Sequence, residues 1–224
     1  VGFRLGFVVI QTAGDISNFF SNIWPISFFS FEDLRLFFSL VLIAISCIIM
    51  GAGIPTTATY IILVAVAAPA LAQLGIEPLV AHFFVFYYGV LADITPPVAL
   101  AAYAASGIAK SNPFKTGNTA FRLGIAKALV PFVFVYSPSI LLITGEFQTN
   151  ELILTLTGTL IGIALIGIAF SGYWFRPLKK YEQFVIGSGS LFFVAPGTGS
   201  MIIGLLIILP MFFLQFYKRL TPRP

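Results

Sequence analysis

Charge is what this chain most lacks. Of its 224 residues only 9% are charged, while 58% are hydrophobic; ordinary soluble domains carry about 25% charged residues. So thin a polar inventory cannot cover a water-facing surface, which excludes a soluble globular domain and points to an integral membrane protein. Cysteine is almost absent. Cys47 stands alone inside an apolar run, so no internal disulfide forms and the residue reads as a small packing group. His82 is the sole histidine, with no second His, Cys or close carboxylate to build a metal site, and reads as a packing or interfacial residue. No G-x-x-x-x-G-K-[ST] phosphate loop occurs, which removes nucleotide-driven chemistry. The net charge of +4 comes from basic residues beside apolar runs, where membrane topology accounts for them and nucleic acid does not.

What is present is a series of long apolar runs without the alternation of a β-barrel, so the expected fold is all-α and polytopic. Residues 1–35 mix Phe with Arg4, Asp15, Glu32, Asp33 and Arg35 and read as an amphipathic or interfacial connecting segment. The first firm run, 36–50, has 15 residues, about 22 Å of helix against a hydrocarbon core of about 30 Å. A second run covers 58–74, and a third, 79–109, is too long for one span unless the "DITPP" at 93–97 divides it. The segment "KSNPFKTGNTAFR" reads as a basic loop, followed by a span over about 123–143 that contains Pro131 and Pro138. After the acidic loop 144–151 comes a clean span, 152–170, whose Gly158 and Gly162 invite close approach of a neighbouring helix. The stretch 184–195 reads as a short leg and 201–216 as its return, turning at "PGTGS". The runs divide the chain into a connecting segment, 1–35, a block of interrupted apolar runs, 36–143, and C-terminal membrane helices, 144–224. Lys and Arg counts place the 110–122 and 176–180 segments and the basic tail inside, and the 31–35, 75–78 and 144–151 segments outside. With Val1 in place of an initiator methionine and no signal-peptide pattern, the chain is expected to be a fragment of something longer.

Two polar interruptions break the apolar pattern: "GAGIPTT" at 51–57 and "DITPP". By parity the first lies either at mid-membrane, as the tip of a re-entrant hairpin, or on the cytoplasmic side between two full spans. Its lack of Lys and Arg and the short leg before it favour the hairpin. Non-helical backbone at membrane depth survives only when buried in protein or lining a wet cavity. At the second interruption Pro96 and Pro97 donate no N–H, so carbonyls one turn earlier are expected to be free, and a new helix is expected to begin there with its positive end exposed. Carbonyls and the Thr95 hydroxyl suit a small cation, and helix N-terminal N–H groups suit an anion. That chemistry is ion-coupled anion transport. Asp93, the only acid in 79–109, is open to three roles: cation ligand, proton-dependent group, or a solvent contact at a helix break.

The run from Gly51 through "PTTATYIILVAVAAPALAQLGIEPLVAHFFVFYYGVLADITPPVALAAYAASGIA", with "NPFKTGNTAFRLG" and "PFVFVYSPSILL", resembles the large membrane subunit of tripartite ATP-independent periplasmic (TRAP) transporters, and among them the fused permeases served by TAXI-type binding proteins. The resemblance implies an elevator-type secondary transporter of two inverted repeats, each with a re-entrant hairpin and a discontinuous helix. It implies sodium as the coupling ion, no other cofactor, and import of an organic anion, a carboxylate, across the bacterial or archaeal plasma (inner) membrane. The implied partners are a periplasmic substrate-binding protein, the missing N-terminal half, the small-subunit equivalent and the bilayer. On that reading this chain is the C-terminal half. Carried over by position, Gly51, Gly53, Pro55, Thr56 and Thr57 at the tip, with Asp93, Thr95, Pro96 and Pro97 at the break, line a sodium site and half of the substrate cavity. Asp93 departs from the small or neutral residue the family pattern carries there.

Rival readings are an elevator anion carrier that needs no binding protein and a structural or channel subunit that transports nothing. An intramembrane protease is disfavoured. Asp93 has no second acid beside it, Gly51-Ala52-Gly53 is followed by Ile54 where an aspartyl motif wants Asp, and His82 has no partner for a serine nucleophile. The chain is therefore expected not to be an enzyme.

Overall fold

The computed structural model describes residues 2–23, 30–142, 148–195 and 197–220, with the side chains of 2, 3, 5, 22, 23 and 218–220 excepted. Half of the expected acidic loop at 144–151, Pro196 of the "PGTGS" turn and the basic side chains of the tail lie outside the described residues. The described residues are helical throughout, apart from one isolated bridge between Tyr173 and Pro177. Among the described residues five helical stretches are long and apolar enough to cross a membrane: Phe31–Gly51, Thr56–Gln73, Pro113–Tyr136, Thr149–Ser171 and Thr198–Tyr217. The chain divides into two compact units, Val1–Ala120 and Phe121–Pro224.

In the first unit, α1 (Gly2–Ile23) packs on α2 (Phe31–Gly51) and α3 (Thr56–Gln73). Its buried face is Gly6, Val9, Ala13 and Ser17, spaced three or four apart. A Cβ on Gly6 would lie 2.9 Å from Ala70 Cβ, so the absence of a side chain sets the α1–α3 distance. The segment 1–35 is thus mainly helix, and α2 starts at Phe31, ahead of the expected Leu36. Ser30 caps it: its hydroxyl oxygen accepts from Asp33 N–H at 3.1 Å, while Asp33 Oδ2 accepts from Ser30 N–H at 3.2 Å. The charges that suggested a loop are the capping box of a helix. At 21 residues, α2 is about 31 Å long, so the short-leg argument for a re-entrant hairpin no longer holds.

A turn with Gly75 at φ +77 links α3 to α4 (Pro78–Ala92). Helices α2, α3 and α4 then pack together over a core that includes Leu40, Ile43, Leu63, Leu71, Phe84 and Val85, with Cys47 also buried and free. After the break at 93–99, α5 (Leu100–Ala109) resumes. The stretch read as a basic loop is largely α6 (Pro113–Gly124), capped where Lys115 N–H donates to Asn112 Oδ1 at 3.0 Å. Here too a glycine hid the packing: a Cβ on Gly117 would lie 2.7 Å from the Tyr103 ring.

In the second unit the expected span over 123–143 is interrupted. A 3-10 turn covers Ile125–Leu129, α7 runs Val130–Tyr136 with Pro131 in its first turn, and a second 3-10 turn, Pro138–Leu141, follows Ser137. Each proline opens a segment because it has no N–H to continue the preceding one. Helices α8 (Thr149–Ser171), α9 (Lys180–Val194) and α10 (Thr198–Leu220) form a three-helix bundle around Leu165, Ala169, Ile186, Phe193 and Ile208. The glycine pair acts as its spacing suggested. A Cβ on Gly158 would lie 2.5 Å from Phe193 O, and one on Gly162 2.5 Å from Val194 Cγ2.

Candidate functional site

The two interruptions lie side by side within the first unit. The tip, Ala52–Pro55, joins α2 to α3, and the break, Asp93–Ala99, joins α4 to α5. One hydrogen bond bridges them, beside one close approach. Thr56 Oγ1 donates to Asp93 Oδ2 at 3.1 Å, and a Cβ on Gly53 would sit 3.4 Å from Val98 Cγ1. Gly53 holds φ +82, a left-handed conformation that favours glycine. Gly51, the last residue of α2, is buried. A Cβ there would lie 2.9 Å from Thr59 Cγ2 and 3.1 Å from Ala92 Cβ, so glycine is what lets the tip approach α4.

Pro55 is the N-cap of α3 and supplies no side-chain cap to its first-turn N–H groups. Thr57 and Pro97 are exposed; Asp93, Thr95 and Pro96 are half-buried. The Thr95 hydroxyl donates to Leu91 O at 2.7 Å and keeps its oxygen lone pairs available as an acceptor or cation ligand.

The carbonyls expected to be free one turn before the prolines are largely engaged. Asp93, Ile94 and Thr95 N–H donate to Val90, Leu91 and Ala92 O at 3.1–3.2 Å, tightening the end of α4 into three-residue turns. Further on, Asp93 O accepts from Ala101 N–H, Thr95 O from Ala99 N–H, and Pro97 O from Tyr103 Oη at 2.8 Å. The new helix starts at Leu100, three residues after the prolines, through Ala99 at φ 38. The hard-oxygen chemistry of the site therefore rests on the Asp93 carboxylate and the Thr56 and Thr95 hydroxyls more than on freed main-chain carbonyls. Among the described residues no three His, Cys, Asp or Glu side chains cluster.

Two residues that matter here are not among the expected site residues: Thr59, whose hydroxyl reaches back to Ile54 O at 3.0 Å, and Tyr103, which pins the break. Their signal was a polar hydroxyl a turn beyond each interruption. His82 packs as expected, its Nδ1 2.8 Å from Tyr60 Oη. A cavity of about 410 Å³, lined by Phe7, Gln11, Arg35 and Gln73 among others, lies at the far end of α3 and includes no tip or break residue.

Helical described residues with five stretches long and apolar enough to cross a membrane define a polytopic membrane protein. The family model for the Tripartite ATP-independent periplasmic transporter, DctM component, matches residues 3–149, and the chain belongs to that family. Comparison with curated proteins and with solved structures gives no match. The family is one of secondary transporters and not of enzymes, and its tripartite make-up implies a periplasmic binding protein and a small membrane subunit as partners. The tip and the break both fall inside the matched residues.

Proposed function

We propose that this chain forms half of the transport path of a sodium-coupled importer of an organic anion, a carboxylate, in a bacterial or archaeal inner membrane. A periplasmic binding protein of the TAXI type delivers the substrate, and a fused N-terminal half supplies the inverted copy of the repeat. Residues 36–143 constitute the second transport repeat, with 51–57 as a re-entrant tip that moves with the break in an elevator stroke. The supporting observation is the hydrogen bond from Thr56 to Asp93. It joins the two interruptions and sets three hard oxygens, from Thr56, Asp93 and Thr95, on adjoining segments beside the uncapped start of α3. A small cation suits the oxygens, and a substrate carboxylate suits the N–H groups.

Thr95→Val deletes one oxygen at nearly constant volume. In the reconstituted full-length transporter the sodium concentration for half-maximal uptake should rise at least tenfold, a loss of about 1.4 kcal/mol of ion binding. The lost bond to Leu91 O should lower stability by only about 0.5–1.5 kcal/mol. Unchanged sodium activation rejects the assignment. A cysteine in place of Ala52 should react with a water-soluble thiol reagent from the periplasmic side, in one conformational state only. Equal labelling from the cytoplasm in every state would make 51–57 an ordinary loop.

A further inference from the structure

The geometry points to Thr59 as the positioning residue of the tip: its hydroxyl fixes the Ile54 peptide, and its methyl keys α3 against Gly51 and Gly89, so that the tip meets the break in an ion-binding geometry. Thr59 is 1% exposed, so it touches neither ion nor substrate itself. In this chain a helical hydroxyl commonly donates to the carbonyl four residues back, as Thr12, Ser17, Ser46, Thr119 and Thr157 do. Thr59 departs from this pattern, although Pro55 O, the carbonyl four residues back, accepts its N–H at 2.9 Å as in any α-helix. The hydroxyl instead reaches five residues back, out of the helix, to Ile54 O at 3.0 Å.

Ile54 stands between Gly53, where an added Cβ would sit 3.4 Å from Val98 Cγ1, and Thr56, which bonds Asp93. Its own N–H donates to Gly51 O at 3.3 Å. With both ends of that residue tied, the peptide planes on either side of it are fixed, and these are the planes that aim the tip. The methyl has a separate job. Built Cβ atoms on Gly51 and Gly89 would stand 2.9 and 3.1 Å from Thr59 Cγ2, so this methyl fills the slot the two glycines leave. Because hydroxyl and methyl share one Cβ, a single χ1 angle places both groups, and a binding geometry that loosens by a fraction of an ångström loses affinity.

This inference rests on the sodium reading above, and one titration separates the two. The purified full-length transporter in detergent is titrated with sodium chloride against choline chloride at constant ionic strength, reading the thermal midpoint, since a ligand that binds only the folded state raises it. The native protein should show a saturable, sodium-specific rise. Thr59→Val keeps the methyl and removes the hydroxyl. Its half-saturating sodium concentration should increase at least tenfold, with the midpoint in choline within a few degrees of native. Thr59→Ser keeps the hydroxyl and should restore half-saturation to within threefold of native despite the lost methyl. If Thr59→Val fails to fold, Thr59→Ser and Thr59→Ala, which differ by the hydroxyl alone, give the same comparison. Native half-saturation in Thr59→Val, or in Thr59→Ala where that pair is used, overturns the role of Thr59 and leaves the sodium reading intact; so does a serine variant shifted as far as the variant without the hydroxyl. No sodium-specific rise in the native protein overturns the sodium reading and the role of Thr59 with it.

Discussion

Gly51→Leu should part the tip from the broken helix and abolish any sodium-dependent stabilisation. The first added carbon would already stand 2.9 Å from Thr59 Cγ2, 3.1 Å from Ala92 Cβ and 3.6 Å from Gly89 Cα. None of these is the far end of a flexible side chain: one is a β-branched methyl held by a buried helix, one an alanine Cβ, one main chain. The three further carbons of leucine have only the same slot to enter, so α2 and the tip must move away from α4. Overpacking of this kind costs about 1–3 kcal/mol. At about 2–4 °C per kcal/mol for a chain of this size, the thermal midpoint should fall by several degrees. The larger consequence is for ion binding, because the Thr56–Asp93 bond depends on the same approach. Gly14→Leu is the matched control, since a Cβ at Gly14 meets nothing within 4 Å. It should not lower the midpoint, leucine being the better helix former, and should leave the sodium response unchanged; a Gly51 variant that behaved like it would mean the tip has room to spare.

The same contrast between glycines explains what was legible in the sequence. The break at 93–97 was readable because two prolines and an aspartate in an apolar run carry a local, covalent signal, and the Gly158/Gly162 pair because its spacing is helical. Helices α1 and α6 were not legible, because the residues they bury are small: Gly6, Ala13 and Ser17 in α1, Gly117 in α6. Hydrophobic periodicity registers large apolar side chains and passes over a seam made by their absence. The start of α2 was misplaced for a related reason, since Glu32 and Asp33 read as loop charges until Ser30 and Asp33 are seen closing a capping box. At the site itself, residue types predicted which segments would meet but not how the main chain would satisfy itself. A missing proline N–H predicts vacant carbonyls only if the helix stays α-helical up to the break. Here α4 tightens into three-residue turns and takes those carbonyls up.

The second large effect is expected at the far end of the chain, where Glu182→Ala should destabilise the α8–α10 bundle by about 3–5 kcal/mol. Glu182 is fully buried and acts as the hub of the turn that leads into α9. Its Oε1 accepts from Arg176 Nη2 at 2.7 Å and its Oε2 from Lys179 N–H at 2.8 Å and Gln215 Nε2 at 3.0 Å. One carboxylate thereby ties the 172–179 turn to the start of α9 and to α10. Removing it strands a half-buried guanidinium, a helix N-terminal N–H and a fully buried amide at once, and an unpaired buried charge is the largest of these penalties. The thermal midpoint in detergent should fall by roughly 6 °C or more at about 2–4 °C per kcal/mol. Replacing both ionic partners with apolar residues of similar size, Arg176→Met with Glu182→Leu, should recover much of that loss, because the pair's attraction is offset by the desolvation of both charges. A double variant no more stable than Glu182→Ala would show that the bonds from Lys179 and Gln215, and not the ion pair, hold this end of the bundle. Sodium half-saturation should be unaffected in both variants, since neither residue belongs to the unit that contains the tip and the break.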